Sequence, residues 1–155
     1  MQSKQVQGHQ RSGRRRGNAM VEFGLASSVI FLMAVGAVDF GRLFYESIAM
    51  AGAAQAGVQR GTFSPLASKD TSAILSSAAA GLSDVRDANV TTEQFCDCPY
   101  APGVAVDCTT ARCTGYGLSR LYVRVRVTKT FSTFGPWPGI PEETPIDLSN
   151  WVRVR

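Results

Sequence analysis

The feature that most constrains this chain is a run without a single charge, Phe23 to Val38, sixteen residues bracketed by Glu22 and Asp39. As a helix it covers about 24 Å, short of a hydrocarbon core of roughly 30 Å. Taking in Ala19 to Val21 before it and Phe40 to Leu43 after it closes the gap and leaves Glu22 and Asp39 at or just inside the two interfaces. A membrane helix over about residues 19–43 is therefore predicted. Arg14, Arg15 and Arg16 precede it, and residues 1–17 contain no acid. By the positive-inside rule the leader stays in the cytoplasm and the remaining chain lies outside. Two other readings share this pattern. One is a secretory signal with Ala34-Val35-Gly36 as the cleavage site before Ala37, which would release a soluble disulfide-rich domain. The other is a plain single-pass anchor or binding module that keeps its leader.

Charge and composition narrow the function further. The chain carries a formal charge of +4 and a pI near 9.1, which invites a nucleic-acid partner. The excess sits in the leader, where Lys4, Arg11 and Arg14 to Arg16 give +5; the rest holds 11 basic against 12 acidic residues. A basic leader is not a basic domain, so no nucleic-acid partner is expected. The leader is polar and rich in Gly, Ser and Gln, so it is expected to be unstructured. The only histidine, His9, lies within it. Histidine-dependent chemistry is thereby excluded from the folded part, no other catalytic set is evident, and neither an enzyme nor a cofactor is expected.

Glu22 is costly in a bilayer, about 2.5–3.5 kcal/mol at its centre and less near an interface, and such residues usually mark function. Its context is Gly17-Asn18-Ala19-Met20-Val21-Glu22, a glycine after an arginine run, four residues, then the carboxylate. This resembles the type III signal of type IV pilin precursors. The resemblance implies that a prepilin peptidase cuts after Gly17, so that Asn18 starts the mature chain with an α-ammonium. Asn18 departs from the aromatic or methionine usual there. Glu22 can then neutralise that amine on a neighbouring subunit, because a buried charge is tolerated only when paired.

Nothing stops the helix after the apolar run. Residues 18–62 lack proline, Ala dominates Ser47 to Arg60, and Ser64-Pro65 follows, so one helix of roughly 67 Å is predicted. Asp39, Arg42 and Glu46 share a face at i,i+3 and i,i+4 and can pair. Ala49, Ala53 and Gly57 recur every four residues, which permits close approach either to another membrane helix or to the chain's own domain. Three blocks now stand in order: Arg16-Gly17 with Val21-Glu22-Phe23; Val38-Asp39-Phe40-Gly41-Arg42 with Tyr45; and Ala53 to Gly61, including Gly57 and Arg60. Together they resemble the TadE family, small pseudopilins of the tight-adherence branch of type IV pilus machinery. The resemblance implies a minor pilin of the bacterial inner membrane or of the pilus itself, acting in assembly of an adhesive type IVb (Flp-type) pilus. Its implied partners are the prepilin peptidase, other pilins and pseudopilins, the tight-adherence apparatus and the lipid bilayer.

The remainder, residues 66–155, reads as a small periplasmic α+β domain with a second helix and an antiparallel sheet, so the whole chain is α+β. Residues 66–83 suit the helix, capped by Asp70 or Thr71, with Ile74, Leu75, Ala78 and Leu82 as its apolar stripe. Ala88 to Phe95 suits a strand. Leu118 to Phe131 is a clearer one, with Leu121, Val123, Val125 and Val127 alternating against Tyr122, Arg124, Arg126 and Thr128. Trp151 to Arg155 repeats the alternation after a turn at 135–141. Arg120, Arg124, Arg126, Lys129, Arg153 and Arg155 make either a patch for phosphate or polysaccharide or, as expected here, a solvated face balanced by Asp84, Asp87 and Glu93. The four cysteines fall within residues 96–113, in a compartment where disulfides persist. A Cys96–Cys98 bridge is sterically poor. Two pairings remain, Cys96–Cys108 with Cys98–Cys113, or Cys96–Cys113 with Cys98–Cys108. The one- and four-residue spacings within the pairs suit zinc poorly, so no metal is expected.

Overall fold

The computed structural model describes residues 14–109, 112–115, 117–136 and 139–154. Lys4, His9, Arg11, Trp137 and Arg155 lie outside the described residues, and so do the expectations placed on them. The chain divides into two compact units, Met1–Phe40 and Gly41–Arg155.

The first helix, α1, is Arg14–Gly61. It starts four residues before the predicted Asn18 and so takes in Arg14 to Gly17, which composition had assigned to an unstructured leader. Arginine is a good helix former, and adding a residue to an existing helix costs far less than starting one. The end at Gly61 agrees with the sequence to a residue, because Ser64-Pro65 cannot continue the ladder.

In the second unit a 3-10 turn, Ala67–Lys69, precedes helix α2, Thr71–Ala80. The predicted helix over 66–83 is thus shorter. Asp70 leaves helical geometry and caps α2, its Oδ1 accepting from the Ala73 N–H at 3.0 Å and from the Ser72 hydroxyl at 2.7 Å. Strands follow as β1 (Asn89–Cys98), β2 (Ala101–Val106), β3 (Arg112–Cys113), β4 (Gly117–Leu118), β5 (Arg120–Ser132) and β6 (Glu143–Arg153). The main sheet is antiparallel with order β2-β1-β5-β6, and β3 pairs with β4 in a separate ribbon. The architecture is α+β, as the pattern predicted.

Three strand limits differ from the sequence reading. β1 runs on through Cys98, because the bridges and β2 give its last residues partners. Leu118 belongs to β4, not to β5. β6 begins at Glu143, well before Trp151. Its Pro145 stands opposite Thr130 on a strand at the sheet edge, where a missing N–H is tolerated. One layer of core joins the helices to the sheet. Met50, Ala53, Ala54 and Val58 of α1 meet Ile74 and Ala78 of α2, the Val123-Val125-Val127 face of β5 and Ile146 of β6.

Candidate functional site: the amino-terminal helix

In the first unit, α1 presents apolar side chains to its surroundings on every side. Met20, Val21, Phe23, Leu25, Val29, Ile30, Phe31, Leu32 and Met33 are each 53 to 80% exposed. Leaving nine such groups in water forfeits on the order of 20 kcal/mol of transfer free energy, more than a typical domain's whole net stability. A helix apolar all round belongs in a core or a bilayer, and none of its most apolar 18-residue window is buried in the protein. Asn18–Gly61 is the one described helix long and apolar enough to cross a membrane, with a mean hydropathy of 2.0 in that window. The two polar side chains of the run are satisfied locally: Ser27 donates to the Gly24 carbonyl at 3.0 Å and Ser28 to the Leu25 carbonyl at 2.8 Å. Such bonds let serine reside in hydrocarbon. Gly17 lies in the helical backbone near its start, Asn18 is exposed, and Glu22 stands exposed on the next turn. Glu22 is the one ionisable residue between Asn18 and Val38.

In the second unit, the continuation of α1 has two faces. Gly57 packs so closely that an added Cβ would lie 3.1 Å from Val125 and 3.2 Å from Ala78. Ala53 is fully buried, within 3.2 Å of where a Cβ on Gly81 would stand, and Ala49 is partly buried. The small-residue stripe therefore seats α1 on β5 and α2 of its own domain, one of the two uses its spacing allowed. Arg42 lies over the rings of Phe131 and Phe134, at 5.3 and 4.1 Å. Glu46, paired with Arg42 in the sequence reading, has the Lys129 ammonium at 2.8 Å, with both side chains largely buried. Arg60 is exposed, 6.0 Å from the Phe63 ring. Asp39 and Phe40 end the first unit's part of α1, and Gly41 has open space around it. The opposite face of α1 escaped the sequence reading: Phe44, Ile48, Ala51 and Gly52 are all exposed. Its signal was present as the i, i+4, i+7, i+8 spacing of a helix face.

The second unit is held by bridges Cys96–Cys108 and Cys98–Cys113, with Cα separations of 5.1 and 5.5 Å, the first of the two pairings left open. The arginine-rich face of β5 is largely neutralised. Arg120 Nε lies 2.9 Å from Asp97, Arg124 lies 2.7 Å from Glu93, and Arg126 pairs with Asp147. Of the three acids proposed as balance, Glu93 alone takes this role. Asp97 stands directly opposite Arg120 and Asp147 opposite Thr128, positions set by strand register and invisible to spacing. Asp84 accepts from the Tyr45 hydroxyl at 3.3 Å. Burial pushes the Asp97 carboxyl up, but the Gly103 N–H at 3.0 Å and the Arg120 guanidinium outweigh it and hold it below the usual carboxylate range. Among the described residues no group of three or more His, Cys, Asp or Glu side chains is arranged to hold a metal ion.

No curated protein and no solved structure matches the chain. The family described as TadE-like protein does match, over residues 17–59. The matched segment opens at the glycine of the expected processing site, contains the whole apolar run and ends within the packed part of α1. Residues 17–59, and not the domain that follows them, are thus what the chain shares with the TadE-like family.

Proposed function

We propose that this protein is a minor pilin or pseudopilin that helps assemble a tight-adherence (Flp-type) pilus. It is inserted in the bacterial inner membrane with its N-terminus cytoplasmic and its outer domain periplasmic. A prepilin peptidase removes the leader after Gly17. The observation that carries the reading is the coincidence of the TadE-like match with a helix whose apolar side chains are exposed on all sides. The role is assembly and not catalysis. Glu22 pairs with the new α-ammonium of a neighbouring subunit, and the exposed Phe44-Ile48-Ala51-Gly52 face gives other pilin helices a place to pack.

The test is the N-terminus and intact non-reduced mass of protein recovered from native membranes. A start at Asn18 is expected. A start at Met1 would leave a single-pass anchor that keeps its leader, a reading that gains from α1 running unbroken from Arg14 through Gly17. A start near Ala37 would turn the apolar run into a secretion signal, and the assembly role would fall with it.

A further inference from the structure

The two edges of the main sheet are built differently. β2, at one edge, is short, carries Pro102 and Gly103, and shifts register against β1 between Cys96 and Cys98. Such features keep an edge from pairing with another chain. β6, at the other edge, is 11 residues long and stays in register with β5 throughout. No inward charge guards it: Ile146, Leu148, Asn150 and Val152, on the core side, are all neutral. Its backbone parity is fixed at both ends. The Thr133 N–H donates to the Glu142 carbonyl at 3.1 Å and the Val154 N–H to the Leu121 carbonyl at 2.9 Å, both in line with the strand register. Along such a ladder, residues that bond to the neighbouring strand alternate with residues that point their N–H and C=O away from it. Even-numbered positions of β6 therefore bond to β5, and Asp147, Ser149, Trp151 and Arg153 turn their backbone groups outward. These groups meet no backbone partner among the described residues. Pro145 falls at the next outward position, where it has no N–H to offer, and so limits the open run to 147–153.

From this arrangement we infer that the outer edge of β6 takes up an extended segment of a partner polypeptide, added antiparallel as one more strand. Donors and acceptors alternating at strand spacing are matched by the backbone of another strand. The side chains along the run define the chemistry of that segment. Asp147 and Arg153 stand at its two ends on the outer face. Asp147 is shared with Arg126, and Arg153 is exposed with no carboxylate partner among the described residues. A segment with an acid opposite Arg153 and a base opposite Asp147 suits both, since opposite charges across a strand pair stabilise it and like charges destabilise it. Between them it carries apolar side chains on the core side, opposite the half-buried Leu148 and Val152. Antiparallel addition continues the pattern of the sheet and gives straighter bonds than parallel addition. The inference concerns the second unit alone and does not depend on where the apolar part of α1 resides.

The probes are two blocked, fluorescein-labelled peptides of one composition: Glu-Val-Thr-Thr-Thr-Val-Lys, and the same sequence with Glu and Lys exchanged. Each is titrated with the full, non-reduced chain in detergent micelles and followed by fluorescence anisotropy. The first should bind about tenfold more tightly, because both end pairs change from attraction to repulsion in the second. Arg153→Glu should erase that preference. Ser149→Pro should abolish binding of both peptides, because it removes an outward N–H and leaves the bonds to β5 in place, as Pro145 does. Melting temperatures near wild type check that the variants fold. Arg153 is exposed, so its substitution keeps the test decisive where a second proline is not tolerated. Absence of binding by either peptide overturns the inference. Equal affinities, or tighter binding of the exchanged peptide, overturn the orientation and charge register it requires. Binding that survives Ser149→Pro in a folded chain lies elsewhere and overturns it as well.

Discussion

At Asp97, burial and hydrogen bonding pull one carboxyl in opposite directions, and the balance sets an acid sensitivity. The side chain accepts from Gly103 and from Arg120, so it ties the first half of β2 to the start of β5. Replacing it by alanine leaves a largely buried guanidinium and a backbone N–H without that acceptor, at a cost of about 2 kcal/mol. Urea unfolding of the non-reduced protein measures this. The pH dependence has a definite sign. The folded carboxyl titrates below the ordinary unfolded value of about 3.9, so its contribution is fully present above that value. It is lost as pH falls through the lower folded value. Asp70, through the Ala73 N–H, and Asp147, through Arg126, shift the same way. Stability should therefore fall on acidification below about pH 4, and Asp97→Asn should flatten the fall. An unchanged pH profile in that variant would remove Asp97 from the account.

The two faces of α1 separate what the fold uses from what the proposed assembly role would use. Gly52 has no atom within 4 Å of where its Cβ would stand, so Gly52→Ala should stabilise the helix by about 0.8–1 kcal/mol. At Gly57 the same gain is offset by contacts of 3.1 and 3.2 Å with Val125 and Ala78, and Gly57→Leu should cost about 1–3 kcal/mol by overpacking. Thermal unfolding of Gly52→Ala, wild type and Gly57→Leu gives the order. Gly52→Leu carries the functional test: it should leave the melting temperature at or above wild type, since leucine is also a good helix former, and reduce piliation seen by electron microscopy, because it obstructs only the exposed face. The bridges belong to this scale as well. They close 12- and 15-residue separations onto the last turns of β1, and reducing either should cost about 3 kcal/mol. Unfolding with and without reductant checks the value. The β5–β6 pairing, which contains no cysteine, should be the last part to lose amide-exchange protection.

Across the whole molecule, the decisive variant is Glu22→Ala. The chain should still resist alkaline extraction, because one substitution at an exposed position leaves the apolar run intact. Assembly should drop about a hundredfold or more, since an unpaired buried ammonium costs about 3–5 kcal/mol. Normal pilus numbers in that background would leave a tether and no pilin-type charge pairing. Much of this architecture was legible in the chain itself. The membrane segment needs only a count of uncharged residues, α1 ends where proline must end it, and the alternation of Val123, Val125 and Val127 marks β5 because a half-buried strand repeats every two residues. Local rules act over one or two turns, so a sequence displays them directly. The partners were not legible. Lys129 meets Glu46, Asp147 meets Arg126 and Cys98 meets Cys113 because strand register and the seating of α1 on β5 bring distant positions together. The stripe of Ala49, Ala53 and Gly57 had the right period for either another chain or its own domain, and packing assigned it to the domain. The sequence by itself determined which segments are apolar, helical or extended, since those properties are carried by neighbours along the chain. Only the tertiary structure decided which charges, thiols and small residues face one another, since contact depends on closing loops whose geometry no local pattern encodes.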